Sequence, residues 1–361
     1  MAKKKNLLKS VSDEPVTNEL EENVLPPENI VVLNELRSAS DLNRLMTTDD
    51  SIDLKPDFQR NEVWTPEARA RFIDSLSKEF PIPSMCFAHD PKEQKYIVID
   101  GLQRMSTIKK FLGDESWILP KLKDIDTKIA GKSVSEIKRK NPEIFRKIEN
   151  VSLPVTILRY DPNRKDNMEY IFTIFQRLNT FGERLNIQEI RNAIFQGPFN
   201  MFLKECGKNQ LWRKIALSQK RKSENRMVAE ERALRFFAFL EDSEKYTGKL
   251  NKFLNEYMQK NRHLGELSGL QEIFGSVVNI LDRLGVEKIG KSIAFTDALF
   301  HGIAKNIFNL ENLNKKPLEI LLNKLKEDEH FTPAALSEGT MQTSKVQSRL
   351  LAAEKIFAEK I

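Results

Sequence analysis

Short apolar runs characterise the first part of the chain, and helical periodicity characterises the rest. The runs SMCFAH and KYIVI predict two strands that the turn-forming DPKEQ joins as a hairpin, and VSLPVTILRY predicts a further strand. From residue 166 onward, apolar residues recur every three to four positions almost to the C-terminus, which is the period of a helix. The pattern therefore predicts an α+β fold, in which a small mixed α/β domain precedes a mostly helical domain.

Changes in the pattern give the expected domain boundaries. Residues 1–28 mix charges with prolines and show no hydrophobic period, which predicts a mobile tail. We expect the α/β domain at 29–165 and the helical domain at 166–361.

Local signals predict where several helices begin. The stretch LNELRSASDLNRLM, early in the α/β domain, predicts helical turns. Thr65 followed by Pro66 is typical of an N-cap and a first helical residue. Asn186 and Glu189 have the spacing of a capping box, which predicts another helix start.

The stretch IVIDGLQRMSTIKKF changes from strand-like to helical within two residues, at Asp100 and Gly101. A helix that begins directly after a strand points its unpaired N–H groups and the positive end of its dipole beyond the strand end, where anions bind. Gly101 would let a ligand approach the backbone, Arg104 would bind phosphate, and Asp100 would hold a metal ion or position a water molecule.

A plainer interpretation fits the same residues. Asp100 could only cap the helix, Gly101 could only turn the chain, and Arg104 could lie solvated on the first exposed turn. The short motif alone does not choose between the two interpretations.

Composition excludes several classes of protein. With 361 residues, 40% of them hydrophobic, the chain can bury one large core or two modest ones. No apolar stretch approaches the roughly 20 residues that span a bilayer, and no signal peptide follows the N-terminal lysines, so we expect a cytoplasmic protein without membrane contact. Cys86 and Cys206 are expected to be buried thiols, and the scattered histidines argue against a zinc site.

The net charge of +6 is modest, but basic residues cluster in the segment WRKIALSQKRKSENR. Lys220, Arg221 and Lys222 form its centre and are candidates for binding the phosphate backbone of DNA. A solvated loop between helices is the simpler alternative for such a basic run.

Several motifs, in order, resemble the N-terminal domain family of GmrSD-type restriction enzymes, over roughly residues 30 to 240. The Asp-Gly-Gln-Gln-Arg box of that family is matched except at its third position, where this chain has Leu102. The matching positions are Pro56, Gln59 and Arg60 in the Pro-x-x-Gln-Arg strand; Asp100, Gly101, Gln103 and Arg104 in the box; Asn179, Thr180 and Gly182 in the Asn-Thr-x-Gly segment; and Glu231 and Arg235 in the Glu-x-x-x-Arg helix.

The resemblance implies a ParB/sulfiredoxin-like fold, in which the Gln-Arg strand end and the Gly-x-x-Arg helix start converge on one nucleotide-phosphate pocket. Arg60 would then lie beside Arg104, and both would act in catalysis with Asp100, which is also the candidate ligand of Mg²⁺. The implied nucleotide-binding residues are Gln59, Arg60, Gly101, Gln103, Arg104 and Asn179.

Two of these motifs have simpler explanations. Asn179 precedes a glycine after a long helix and could belong only to the end of that helix. Glu231 and Arg235 are four residues apart on one helix, so an ordinary ion pair is expected.

Three classes of function remain. The first is antiviral restriction in which the chain binds and hydrolyses a nucleoside triphosphate to sense or license attack on foreign DNA. The second is a DNA nickase that uses the same pocket, and the third is a non-catalytic subunit that senses nucleotide or DNA for a separate nuclease. Residues 241–361 lack the His-Asn-His type motif that many relatives carry there, so we expect a separate effector nuclease as partner.

Overall fold

A computed structural model describes residues 25–52, 54, 64–178, 185–217, 227–285, 289, 292–336 and 339–360. The described residues form two compact units, one within Glu21–Leu185 and the other within Asn186–Ile361. The sequence-based domain boundary between 165 and 166 stays a prediction, whereas the compact units divide between Leu185 and Asn186. In the described part of the chain, no helix has the length and apolarity needed to cross a membrane.

The first unit contains a four-stranded mixed sheet in the order β1-β4-β2-β3. β4 pairs antiparallel with β1 and parallel with β2, and β2 and β3 form an antiparallel hairpin. The three strands predicted from apolar runs are confirmed. The four strands are β1 (Val31–Ser38), β2 (Met85–Asp90), β3 (Lys95–Asp100) and β4 (Ser152–Arg159).

One prediction in this unit is wrong. The stretch LNELRSASDLNRLM, expected to form helical turns, is helical only from Ala39 onward, and its first six residues belong to β1. The eight residues of β1 pair with β4, more than 100 residues later, and this non-local ladder overrides the local helical pattern. Ser38 then starts the helix, because its side chain accepts a hydrogen bond from the backbone N–H of Asp41.

Among the described residues of this unit, six helices accompany the sheet. The predicted start at Thr65 is confirmed, since its hydroxyl accepts from the N–H of Ala68 and Pro66 is the first helical residue. The core includes Ile73, Phe87 and Phe111. The helices are α1 (Ala39–Thr47), α2 (Pro66–Ser77), α3 (Leu102–Gly113), α4 (Val134–Lys140), α5 (Pro142–Asn150) and α6 (Lys165–Leu178).

Helices build the second unit, which confirms the α+β class. The predicted capping box is present, with Asn186 and Glu189 each accepting from the other's backbone N–H. The helices are α7 (Ile187–Ile194), α8 (Pro198–Lys208), α9 (Gln210–Ala216), α10 (Val228–Asp242), α11 (Leu250–Asn261), α12 (Ser268–Leu284), α13 (Ile293–Lys305), α14 (Ile307–Leu310), α15 (Lys315–Glu327) and α16 (Thr343–Phe357).

Buried charges connect the helices of the second unit. The expected pair between Glu231 and Arg235 is wrong, because Arg235 instead donates to both carboxylate oxygens of Asp297. Burial alone would lower the pKa of Arg235, but the carboxylate of Asp297 raises it. Glu231 lies near Arg191, whose pKa burial lowers to about 10.

Candidate functional site

The candidate site lies where β3 passes into α3. β3 ends at Asp100, Gly101 adopts a φ of +101°, and α3 begins at Leu102. An added Cβ on Gly101 would lie 2.6 Å from Cγ of the buried Met85. Both the backbone conformation and the packing against Met85 therefore require glycine here.

Asp100 and Arg104 form an ion pair across this turn. Nη2 of Arg104 donates to Oδ2 of Asp100 at 2.6 Å, and Nη1 donates to the backbone carbonyl of Pro83. The side chain of Arg104 is only 12% exposed, whereas that of Asp100 is 50% exposed. These two hydrogen bonds fix the orientation of the Arg104 guanidinium. The expectation of a solvated side chain on an exposed turn is therefore wrong.

The start of α3 is not capped by a side chain. Gly101 is the N-cap residue, and Asp100 accepts from Arg104 instead of capping the helix. The simpler interpretation of Asp100 as an N-cap is therefore wrong. The N–H groups of the first turn of α3 have no partner within the helix. Together with the guanidinium of Arg104, they give this end of the helix a positive polarity. The half-exposed carboxylate of Asp100 lies beside it.

Gln103 connects the site to the start of α2. Its Oε1 accepts a hydrogen bond from the backbone N–H of Trp64 at 3.4 Å. The ring of Trp64 meets that of Phe72 edge to face, with 5.4 Å between ring centroids. The contact with Trp64 thus fixes the position of the Gln103 amide at the edge of the site.

Cys86 lies opposite Asp100 on the neighbouring strand, next to an irregularity in the ladder. Burial and the charge of Asp100 raise the pKa of its thiol to about 12. A thiol that stays protonated at neutral pH is a poor nucleophile, so Cys86 acts as a packing residue. Cys206 is buried as well, which confirms the prediction of two buried thiols.

The other predicted site residues lie outside the described residues. The convergence of the Gln-Arg strand end on Arg104 therefore stays a prediction, as does DNA binding by the basic run. Within the described ranges, no three or more His, Cys, Asp or Glu side chains gather as they would around a metal ion. The residues concerned are Gln59, Arg60, Asn179, Lys220, Arg221 and Lys222.

Sequence reasoning did not anticipate the contacts that hold Arg104. The spacing of Asp100 and Arg104 is that of an i,i+4 pair, and this signal alone could have predicted their contact. The side chain of Met85 comes from β2 and the carbonyl of Pro83 from the segment just before it, and neither has a signal in the motif itself.

Comparison with known protein families finds a match that covers the candidate site. No curated protein and no solved structure matches this chain. Residues 42–196 match the family model described as GmrSD restriction endonuclease, N-terminal domain, and this range contains both the turn at Asp100 and the held Arg104. Residues 42–196 are therefore similar to the N-terminal domain of GmrSD restriction endonucleases, which indicates a restriction-system protein.

Proposed function

We propose that this restriction protein binds a nucleoside triphosphate at the start of α3 and hydrolyses it to sense or license attack on foreign DNA. The observation that carries the proposal is the guanidinium of Arg104, held beside an uncapped helix start. Backbone N–H groups at a helix start and a fixed guanidinium are the two groups that most often bind phosphate in proteins.

Asp100 and Pro83 determine how Arg104 would act. They occupy one N–H of each terminal nitrogen and leave further guanidinium donors for a phosphate oxygen. Because the orientation of the guanidinium is already set, little side-chain entropy is lost when a phosphate binds. The resemblance to the family adds Gln59, Arg60 and Asn179 to this pocket as further binding residues.

Asp100 is the candidate for organising the reaction. Its carboxylate is half exposed, and the hydrogen bond from Arg104 uses Oδ2, so Oδ1 can orient a water molecule for attack on a phosphorus atom. The single carboxylate also fits Mg²⁺, which commonly takes one or two protein carboxylates and completes its shell with phosphate oxygens and water. When bound, Mg²⁺ would neutralise charge on the phosphates.

Phosphate release from each of the four nucleoside triphosphates, with Mg²⁺ or with chelator, tests the proposal. We expect hydrolysis by the full chain and loss of nucleotide binding in Arg104→Ala, with an affinity loss of at least tenfold for one charge-assisted contact. Arg139→Ala is the matched control, since Arg139 is an exposed arginine on α4. Circular dichroism checks that each variant is folded.

Plasmid nicking, assayed in parallel, separates the three classes of function. Hydrolysis without nicking supports the proposal and the expected separate effector nuclease. Nicking without triphosphate hydrolysis would replace it with the nickase. Binding without either reaction would leave the chain a sensing subunit.

A further inference from the structure

β1 lies at one side of the sheet, and its outer edge is unpaired within the described residues. β4 pairs with its inner edge along all eight residues, without a bulge. At the opposite side of the sheet, the N–H of Tyr96 on β3 donates to the carbonyl of Ser51 at 2.8 Å, so that edge is partly covered. In the described part of the chain, β1 is therefore the open edge of the sheet.

β1 lacks the features by which proteins usually protect an open edge. Such edges carry lysine, proline or a bulge, which prevents another strand from pairing with them. The eight residues VVLNELRS contain neither lysine nor proline. Their one cation, Arg37, donates to Glu35 of the same strand at 2.9 Å and lies 5.8 Å from the ring centroid of Tyr96, so it lies over the sheet and does not extend beyond the edge.

The backbone groups that this edge presents follow from the pairing with β4. The N–H of Ala39, directly after β1, donates to the carbonyl of Val151. N–H and C=O groups alternate in direction along a strand, so the odd-numbered residues of β1 face β4. Val32, Asn34 and Leu36 therefore present their backbone N–H and C=O groups at the open edge.

The side chains of these three residues share one face of the sheet. Leu33 packs against the core of the first unit, so the even-numbered side chains lie on the opposite face. Val32 is 50% exposed and Leu36 is 72% exposed. Between them, Asn34 accepts a hydrogen bond from the hydroxyl of Thr156 at 2.9 Å. The open edge thus presents an apolar, a polar and an apolar side chain in order.

This order is self-complementary when β1 meets a second copy of itself in the antiparallel direction. With a two-fold axis at Asn34, Asn34 lies opposite its own copy, and Val32 lies opposite Leu36 of the second copy on either side of the axis. These facing residues are also the ones whose backbone groups point outward, so each pair can exchange both backbone hydrogen bonds.

Other registers lose this match. Sliding one strand by two residues in either direction places Asn34 opposite an apolar side chain of the second copy. One of these two slides also places Glu35 directly opposite Glu35 of the second copy, and like charges in that position are destabilising. A strand of unrelated sequence has no reason to match this order, so the register favours a second copy as the occupant.

We propose that two copies of this chain pair through β1, which joins their sheets into one continuous sheet. A strand edge is a small interface, so the dimer is reversible and depends on concentration. The two β3 strands then stand about 34 Å apart, because seven strand spacings of about 4.8 Å separate them. The contact covers neither candidate site at Asp100, so the proposal is independent of triphosphate hydrolysis.

Sedimentation velocity of the full chain, at concentrations up to about 100 μM and without nucleotide, tests the proposal. We expect a reversible equilibrium between monomer and dimer. Leu36→Lys should weaken dimerisation at least tenfold, because it replaces an exposed apolar contact with a charge on the edge. Leu351→Lys is the matched control, since Leu351 is an exposed leucine on α16, and it should leave dimerisation unchanged. Circular dichroism checks that each variant is folded.

Two charge variants test the position of the two-fold axis. Asn34→Asp and Asn34→Lys should each stay monomeric, because like charges then face each other across the axis. An equimolar mixture of the two should form a mixed dimer, because opposite charges then face each other. Asn34→Asp keeps an acceptor for the hydroxyl of Thr156, so its change is confined to charge.

Hydrogen exchange measured by NMR tests the pairing at each backbone group. The N–H groups of Val32, Asn34 and Leu36 should gain protection as concentration rises, whereas those of Leu33 and Glu35, already paired with β4, should not. A chain that stays monomeric at about 100 μM would overturn the proposal. So would a dimer that Leu36→Lys does not weaken, or the absence of a mixed dimer between the two Asn34 variants.

Discussion

Gly101 is the residue whose replacement should most directly test the geometry of the candidate site. Its φ of +101° is a conformation that residues with a Cβ rarely adopt, which costs about 1–3 kcal/mol. The added Cβ would also meet Cγ of Met85 at 2.6 Å, and such overpacking costs about 1–3 kcal/mol more. Gly101→Ala should therefore lower the local free energy of unfolding by about 2–6 kcal/mol.

A double-mutant cycle separates the two contributions. Met85→Ala removes the contacts with Cγ and Sδ and by itself costs about 2–5 kcal/mol through the cavity it leaves. Because most of the steric part of the Gly101→Ala effect is then relieved, the double variant should lose about 1–3 kcal/mol less than the sum of the single variants. The backbone strain of Gly101→Ala and the approach of its Cβ to Cβ of residue 85, at 3.0 Å, should remain.

Hydrogen exchange of peptides from α3, followed by mass spectrometry, measures these free energies locally. Gly113→Ala, at the other end of α3, is the matched control, since its added Cβ meets nothing within 4 Å. It should be neutral or stabilising by up to about 1 kcal/mol. Wild-type stability of Gly101→Ala would refute the strain argument, and strict additivity in the cycle would refute the contact with Met85.

Four further changes have defined outcomes. Asp100→Asn should bind a nucleoside triphosphate as tightly as the wild type or more tightly, because repulsion between residue 100 and the phosphates falls. It should hydrolyse the triphosphate slowly, because the reacting water loses the carboxylate that orients it. Turnover at the wild-type rate would contradict this role. Alanine at all three positions of 220–222 should weaken DNA binding equally across sequences and reduce its log-log salt slope by up to about one unit per lost phosphate contact, as measured by anisotropy titrations. Asp297→Asn should lower the free energy of unfolding in urea by about 3–5 kcal/mol, because Arg235 stays buried without its counter-ion. Burial lowers the pKa of His89, so on acidification the unfolded chain binds a proton at this histidine before the folded chain does. The free energy of unfolding should therefore fall as pH drops below about 6.5. His89→Phe should flatten that dependence in urea titrations at pH 7.5 and 5.5.

Features that depend on nearby residues could be predicted from the sequence. Thr65 and Pro66 start a helix, and Asn186 and Glu189 form a capping box, because each signal acts within four residues. The hairpin of β2 and β3 is also local, with a short turn between its strands.

Features that depend on distant partners could not be predicted in this way. The residues of β1 carry a local helical pattern, whereas their pairing with β4 joins residues more than 100 positions apart. The pair between Arg235 and Asp297 spans 62 positions, while Glu231 offered a local partner at i−4. Periodicity and spacing carry no information about such contacts, so they predict the nearest opposite charge as the partner.

The candidate site shows the same division. The motif indicates that Asp100, Gly101 and Arg104 are chemically important, but it leaves Arg104 either phosphate-binding or solvated, and Gly101 either making room for a ligand or only turning the chain. In the fold, the glycine makes room for Met85, and the arginine is fixed by a carboxylate and a backbone carbonyl. The residue types in the motif were therefore informative, while their contacts required the neighbouring strand.

These contacts also account for Leu102, the position at which the chain departs from its family. The polar side-chain contacts of the box are made by Asp100, Gln103 and Arg104, and each is made without the side chain at 102. Leu102 is the first residue of α3, so what this position presents to an anion is its backbone N–H, which any residue except proline supplies. The change from glutamine to leucine would therefore leave the phosphate binding that we propose for the turn intact, and discrimination between nucleotides would have to come from side chains elsewhere in the pocket.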